Sequence, residues 1–132
     1  MLMRTAAPVD FFLAAAAGRL RAPATEREGM LRFGIDLGTA TIVLTAIDAS
    51  GAPVYWDFLR EGVVRDGVVV DFQGAVQAVA RLKQSAETAL GQRIDEAATA
   101  HPPAVPVADV RPALQVVERE FGLLEILSLI HI

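Results

Sequence analysis

The stretch Phe33-Gly-Ile-Asp-Leu-Gly-Thr-Ala-Thr-Ile-Val-Leu-Thr-Ala-Ile-Asp48 has the pattern of a strand, a tight glycine turn and a second strand. Phe33 and Ile35 point the same way in an extended chain, which predicts one buried face. The β-branched, apolar run from Thr41 to Ile47 predicts a buried second strand. We therefore expect a β-hairpin that turns at Gly38, where glycine allows a bend that other residues would strain.

The turn of this hairpin has the groups that a phosphate site needs. Backbone N–H groups of Gly38, Thr39 and Ala40 can converge on phosphate oxygens. Asp36 can hold a hydrated Mg²⁺ against the same phosphates, because Mg²⁺ prefers oxygen ligands and keeps several waters. The alternative is an ordinary hairpin in which the aspartate and the threonine only satisfy turn amides. The short motif taken alone favours this alternative, because such motifs occur by chance.

The composition excludes several classes of function. The chain has 132 residues, 53% of them hydrophobic, and a mean hydropathy of +0.41. No apolar run reaches the roughly 18 residues that a membrane helix needs, so we expect a buried sheet and no membrane contact. A net charge of −4 and a pI of about 5.1 argue against nucleic-acid binding, which requires a basic face. The absence of cysteine excludes disulfides and thiolate metal sites, and His101 and His131 are too few for a histidine-rich one.

Residues 1–30 differ from the rest of the chain and are predicted to form a flexible leader. Asp10 is a suitable N-cap, and the alanines that follow favour a short helix. Arg4 and the apolar run outline a signal peptide, but the run is short and abuts Asp10, which argues against one. A docking peptide is a second interpretation, and we favour a loosely held extension over it.

A third strand is predicted after the hairpin, with Val54, Trp56 and Phe58 on its apolar face and Tyr55 and Asp57 between them. Trp56 is expected to pack in the core or at an edge of the sheet. The remaining predicted elements are a turn at Asp66-Gly67, a helix from Phe72 to Leu90 ended by Gly91, a strand from Glu96 to His101, a helix from Asp109 to Phe121, and a strand from Leu123.

This order of elements predicts an α/β fold of the ribonuclease-H-like type. Three antiparallel strands come first, and the later strands enter the sheet through helical crossovers. His101 ends its strand, at the edge where open α/β sheets bind ligands. A structural role for His101, beside Pro102 and Pro103, is the favoured interpretation.

Several motifs resemble the first lobe of the actin-like ATPase superfamily. Gly34-Ile-Asp-Leu-Gly-Thr39 resembles its first phosphate loop. Val64-Arg-Asp-Gly-Val-Val-Val-Asp71, with the helix after it, resembles MreB proteins and, more closely, the EutJ family of ethanolamine-utilisation proteins. Ala97-Ala-Thr-Ala-His-Pro-Pro103 and Phe121-Gly-Leu-Leu-Glu125 are also similar to EutJ proteins. The short connection from Arg60 to Arg65 fits that family, because MreB and DnaK-type proteins have a long insertion there.

The resemblance implies an ATP-binding protein. Asp36 would orient Mg²⁺ through water, and Gly38, Thr39 and Ala40 would contact the phosphates through their backbone. Many relatives have a second hydroxyl where Ala40 stands, so its absence weakens the case for fast hydrolysis but not for binding. The family suggests a chaperone-like role in ethanolamine utilisation, a cytoplasmic or microcompartment-associated location, and partners among ethanolamine-utilisation or microcompartment proteins. A nucleotide-regulated scaffold or filament protein of the MreB type and a sugar or acetate kinase are the alternatives.

The second phosphate loop and the second lobe of such ATPases have no counterpart in this sequence. We therefore expect an amino-terminal fragment without useful ATPase activity, since phosphoryl transfer depends on positioning from both sides. Residues 31–126 would form the incomplete ribonuclease-H-like subdomain. Leu127-Ser-Leu-Ile-His-Ile132 can be encoded by CTG TCT CTT ATA CAC ATC, which matches the transposon mosaic end of sequencing libraries. We expect these last residues to be translated adapter, which re-amplification of the gene from source DNA would test.

Overall fold

A computed structural model describes residues 8–38, 41–60, 64–65, 68–69, 72–101, 115 and 123–128. Most of the described chain forms a mixed sheet with one long helix against it. The elements, in chain order, are α1 (Pro8–Ala17), β1 (Arg32–Leu37), β2 (Ile42–Ile47), β3 (Pro53–Leu59), β4 (Val64–Arg65), β5 (Val68–Val69), α2 (Phe72–Leu90), β6 (Glu96–His101) and β7 (Leu123–Ser128).

The main sheet has five strands in the order β3-β2-β1-β6-β7. β1, β2 and β3 pair antiparallel, whereas β6 is parallel to both β1 and β7. Parallel neighbours require a crossover, and α2 lies in the connection that leads to β6. The predicted α/β class and the meander of three strands are confirmed, while the predicted helix from Asp109 to Phe121 lies outside the described residues.

The hydrophobic core lies between this sheet and α2. Phe33 and Ile35 are buried on β1, and the register places Ile35 opposite the buried Leu44 of β2. This alternation follows the two-residue period of a strand, as the sequence predicted. α2 contributes small and branched side chains at helical spacing, which allows close approach to the sheet. Its buried residues are Ala75, Val76, Ala78, Val79, Leu82, Ala86 and Leu90.

The predicted end of α2 is also observed. Gly91 follows the helix with a φ of 70°, and its N–H donates to the Glu87 carbonyl at 2.9 Å. The left-handed conformation is common just after a helix and favours glycine. The guanidinium of Arg27 donates from Nη1 to the Leu90 carbonyl at 3.1 Å, which satisfies another carbonyl of the last turn.

The prediction for β3 assigned the wrong residues to the core. Tyr55 and Asp57 are buried, at 2% and 6% exposure, and Asp57 pairs in register with Leu44 on the face that α2 covers. Trp56 stacks on Phe58 on the opposite face, with ring centroids 5.9 Å apart. The alternation of apolar and polar residues predicted the wrong buried face, because the Asp57 carboxylate has a cationic partner, Arg21, which allows it to be buried.

A β-bulge explains why Val54 is buried as well. The pairing of β2 with β3 shifts register between Ala46 and Ile47, so that Val54 is the extra residue. A bulge rotates the strand locally, and both Val54 and Tyr55 can then face inward. The part of the prediction that placed Val54 in the core is therefore correct, for a reason that the sequence alone did not reveal.

Residues 18–28, which we call the strap, correct the prediction of a flexible leader. α1 begins at Pro8, before the predicted cap at Asp10. After α1 the strap runs along the outer edge of β3, and Ala24 is buried in the core. The strap is held by long-range contacts, which cannot be predicted from composition and local propensity.

Short-range turn chemistry was predicted more reliably. β4 and β5 pair antiparallel, with Arg65 opposite Val68, around the predicted Asp66-Gly67 turn, whose own residues lie outside the described part. β4 itself was predicted only as a connection. β7 starts at Leu123 as predicted and continues to Ser128, beside β6. This pairing does not bear on the origin of residues 127–132, which stays a prediction.

Candidate functional site

The hairpin of β1 and β2 closes tightly at the predicted phosphate loop. Asp36 pairs with Val43 and Leu37 with Ile42, and the Gly38 N–H then donates to the Thr41 carbonyl at 2.8 Å. Only two residues of sequence, Thr39 and Ala40, separate Gly38 from Thr41. Both lie outside the described residues, so their expected contact with phosphate stays a prediction.

The role of Gly38 differs from the predicted one. Its N–H is engaged by Thr41 and does not point to an open phosphate site in this structure. Its φ is not in the left-handed region either. Glycine is required because a Cβ on this residue would lie 2.7 Å from the Thr41 carbonyl oxygen, far inside normal contact. Gly38 therefore closes the hairpin.

Asp36 lies exposed near the carboxyl end of β1, two residues before this closure. Among the described residues, none forms a hydrogen bond or ion pair with its carboxylate. A free carboxylate at a strand end suits Mg²⁺ held through water, because the ion can keep its own hydration shell. The residues present thus fit the predicted metal. Within the described part of the chain, no cluster of three or more histidine, aspartate or glutamate side chains could hold a metal ion directly.

The backbone of His101 reaches the same edge of the sheet. β6 runs parallel to β1, with Gly34 opposite Ala98, so His101 ends β6 at the edge where β1 ends in Leu37. The Thr99 hydroxyl donates to the Ile35 carbonyl at 2.8 Å and fastens the two strands together. This placement agrees with the expectation from open α/β sheets, and the role of His101 stays a prediction.

Arg60 is a candidate that the sequence reasoning missed. β3 ends with Leu59 opposite Ile42, so the exposed Arg60 follows at the level of Thr41 and the loop. Its guanidinium carbon lies 6.0 Å from the centre of the Phe58 ring. Phe58 pairs with Val43 and Val43 with Asp36, so these three residues share a row across the sheet. Aligning the ends of the three predicted strands would have brought this cation to the loop.

Comparison with known proteins gives consistent results. No protein-family profile matches the chain. The ethanolamine utilization protein EutJ of Escherichia coli (strain K12) is 41% identical over 91 residues, which are 69% of this chain and 32% of the relative. EutJ of Salmonella typhimurium is 41% identical over 88 residues, which are 67% of this chain and 30% of the relative. The chain thus spans about a third of the length of these curated relatives.

Solved structures agree with the sequence comparison. The crystal structure of EutJ from Carboxydothermus hydrogenoformans matches with a TM-score of 0.79 and 34% identity, over 91% of this chain and 44% of that one. The structure of MreB5 of Spiroplasma citri bound to ADP matches with a TM-score of 0.51 and 19% identity, over 74% and 38% of the two chains. The second likeness concerns the fold alone.

The sheet order, the glycine-closed hairpin and these matches define the chain as one with the actin-like ATPase fold. Within that class it is an EutJ-like protein, as both the curated sequences and the Carboxydothermus structure show. In the part of the chain that the structure describes, neither helix is both long and apolar enough to cross a bilayer.

Proposed function

We propose that this chain supplies the first phosphate loop, one wall of a Mg·ATP site, in an EutJ-like protein. The observation that supports the proposal is the exposed Asp36 carboxylate, which has no partner among the described residues and stands beside the hairpin closure. When bound, Mg²⁺ would neutralise phosphate charge. Asp36 would orient its waters, and the amides of Thr39 and Ala40 would meet the phosphate oxygens.

Gly38 has an indirect part in this proposal. Its engaged N–H and the close approach of Thr41 fix the end of the hairpin, between whose strands Thr39 and Ala40 stand in sequence. A connection of only two residues has little conformational freedom to lose, which would lower the entropic cost of binding an anion there. Of the three predicted backbone donors, Thr39 and Ala40 remain as candidates, because the Gly38 N–H is engaged by Thr41.

The biological role is proposed from the relatives. Their name connects them with ethanolamine utilisation, and we propose a chaperone-like, nucleotide-dependent role there, in the cytoplasm or associated with a microcompartment. The chain by itself is expected to bind Mg·ATP weakly and not to hydrolyse it, because phosphoryl transfer needs groups positioned on both sides of the phosphates.

NMR titration tests the site even if binding is weak. Isotope-labelled chain is titrated with Mg·ATP at millimolar concentrations, and Mn·ATP then provides paramagnetic broadening as a distance probe. We expect shifts and broadening at residues 36–41, and their loss in Asp36→Asn. The matched control is Asp95→Asn, because Asp95 is 74% exposed in its side chain and lies near the far end of α2.

Any of three results would contradict the proposal. The first is a hairpin whose amides do not respond to Mg·ATP, and the second is equal broadening in Asp36→Asn and Asp95→Asn. The third is a response to adenosine that is as large as the response to Mg·ATP, because a phosphate loop at this position should respond to the triphosphate.

A scaffold function is the second candidate, because the chain shares its fold with the ADP-bound MreB5 structure. In that case nucleotide would control assembly of the full-length protein and would not drive a chaperone cycle. Light scattering of the full-length protein with and without Mg·ATP separates the two: nucleotide-dependent polymer growth favours the scaffold, and stable monomers favour the chaperone-like role.

A further inference from the structure

β3 is the outer strand of the main sheet, and its free edge is covered by the strap. The Ala24 N–H donates to the Val54 carbonyl at 2.8 Å, and the Arg21 N–H donates to the Trp56 carbonyl at 2.8 Å. In return, the Trp56 N–H donates to the Arg19 carbonyl at 3.2 Å. These bonds occupy groups that would otherwise be open to another strand.

The next residue of the edge is closed by side chains. The Phe58 N–H donates to the Asp57 carboxylate at 2.8 Å, and the Phe58 carbonyl accepts from Arg21 Nη2 at 3.3 Å. From Val54 to Phe58, the edge therefore has hydrogen-bond partners at each alternate residue. Two side chains, Arg21 and Asp57, thus occupy the edge groups that the backbone of the strap leaves open.

Arg21 also joins the strap to the core. Its Nε lies 2.6 Å from Asp57 Oδ1, and the side chains are 57% and 8% exposed respectively. Its guanidinium carbon is 5.4 Å from the centre of the Phe58 ring. Arg21 has a φ of 52°, a left-handed conformation that costs a non-glycine residue roughly 1 kcal/mol or more. Such strain persists only where surrounding contacts hold it in place.

The two ends of the strap are anchored separately. Just before its start, in the last turn of α1, the Ala16 carbonyl accepts from the Trp56 indole N–H at 2.8 Å. At its end, the Glu28 N–H donates to Asp48 Oδ2 at 3.0 Å, and the Glu28 carbonyl accepts from the Ala49 N–H at 2.7 Å. Between these anchors, the strap is held to β3 by its three backbone hydrogen bonds and by the Arg21–Asp57 pair.

We infer that the strap protects the edge of β3 from pairing and that Arg21 holds the strap in place. Loss of the Arg21–Asp57 pair would then open β3 for antiparallel pairing with β3 of a second copy of this chain. Two identical strands can pair antiparallel about a two-fold axis, so a second copy fits the opened edge without any other partner. The apolar Trp56 and Phe58 rings on this strand would add contact area to such a pair. The inference is independent of nucleotide binding.

The variant Arg21→Asn tests whether Arg21 holds the strap in place. Asparagine tolerates the left-handed backbone, so the strain does not increase, but it is too short to reach Asp57. Arg93→Asn is the matched control, because it removes an arginine whose partner is also exposed: Arg93 lies 3.7 Å from Asp95, and the side chains are 88% and 74% exposed. The chain contains a single tryptophan, Trp56, whose emission reports directly on the strap.

For Arg21→Asn we expect red-shifted Trp56 emission, Trp56 amide exchange at least about tenfold faster, and a dimer that grows with protein concentration in light scattering after size exclusion. Arg93→Asn should match the wild type in each measurement. Unchanged Trp56 emission and exchange would show that Arg21 does not hold the strap. A released strap on a protein that stays monomeric would refute the pairing of β3 with a second copy. If Arg21→Asn fails to fold, Asp57→Asn, which removes the same charge pair without changing volume, decides by the same readouts.

Discussion

At Gly38, a single hydrogen atom allows the hairpin to close. In Gly38→Ala, the new Cβ would meet the Thr41 carbonyl oxygen at 2.7 Å, and backbone cannot move aside cheaply. We expect a loss of about 1–3 kcal/mol in unfolding free energy, which is typical of overpacking. Denaturant unfolding measures it. Gly18→Ala is the control, because its nearest neighbour would be the Ala15 carbonyl at 4.0 Å, and an equal loss in both variants would refute the steric explanation.

Asp48 makes stability depend on acid. Its carboxylate accepts from the Ser50 hydroxyl at 2.6 Å and from the N–H groups of Glu28 and Ala52. The Ser50 hydroxyl is the largest of these influences, and together they lower the pKa of Asp48 from 3.8 to about 2. A lowered pKa means that the ionised group stabilises the fold above pH 3.8 and that this contribution disappears as the pH falls to about 2.

The test at Asp48 is a carboxyl NMR titration together with unfolding at several pH values. We expect the pKa of Asp48 to move back towards 3.8 in Ser50→Ala, and the stability change over this acidic window to be smaller in both Ser50→Ala and Asp48→Asn. A titration curve of Asp48 that is the same with and without the Ser50 hydroxyl would show that the hydrogen bond has no such effect.

Arg60 offers a charge test of the proposed phosphate site. If the phosphates lie at the loop, this exposed cation at the end of β3 should assist them by a charge-assisted hydrogen bond. We expect Arg60→Ala to weaken Mg·ATP binding about fivefold to tenfold, or ~1–1.4 kcal/mol, with a smaller effect on adenosine. Equal affinities for wild type and variant in the same NMR titration would remove Arg60 from the site and leave the Asp36 test unaffected.

Among the elements, α2 is the one whose end can be tested most cleanly. Gly91 has a φ of 70°, and a Cβ added to it would have no atom within 4 Å, so substitution there changes conformation and not packing. We expect Gly91→Ala to lose roughly 1 kcal/mol and Gly91→Asn to lose less, because asparagine tolerates this conformation. Thermal unfolding of both variants checks the order. An alanine variant as stable as the wild type would show that the helix end relaxes without cost.

Elements with strong local periodicity could be predicted from sequence, and those that depend on distant contacts could not. β1, β2 and α2 were predicted correctly, because their apolar residues repeat at the period of a strand or a helix, and β6 was predicted from its small residues and the prolines after it. The buried face of β3 was misassigned because the partner that allows Asp57 to be buried is Arg21, 36 residues away. The strap was missed for the same reason, since no local sequence pattern within it indicates that it lies along a strand edge.

The hairpin that carries the candidate site could be predicted from sequence, and the binding role of its residues stays a prediction. Asp36 beside a glycine turn is readable from four residues of sequence, and the structure leaves this carboxylate free of partners among the residues it describes. The engagement of the Gly38 amide depends on how tightly two strands close, which is a property of register and not of composition. Arg60 reaches the level of Thr41 only through the pairing of β3 with β2, which is a long-range contact.

At the scale of the whole molecule, the sheet order predicts where the fold is most stable. β1 is the central strand, with β2 on one side and β6 on the other, and it lies over the core. We expect native-state hydrogen exchange to be slowest at Ile35 and Leu44, and faster at the strap amides of Arg21 and Ala24, because edges open before centres. Equal protection at the edge and the centre would indicate that the strap and the sheet unfold only together.

The strap also bears on how this protein should be handled in the laboratory. Every recognisable motif begins at Phe33 or later, so a worker choosing a minimal domain would cut near Leu31. That cut would take away the acceptor for the Trp56 indole, the partner of the Asp57 carboxylate and the Arg27 cap on Leu90 in one step. A shortened product is therefore expected to precipitate, and the smallest useful expression clone should start upstream of α1, in sequence that has no motif at all.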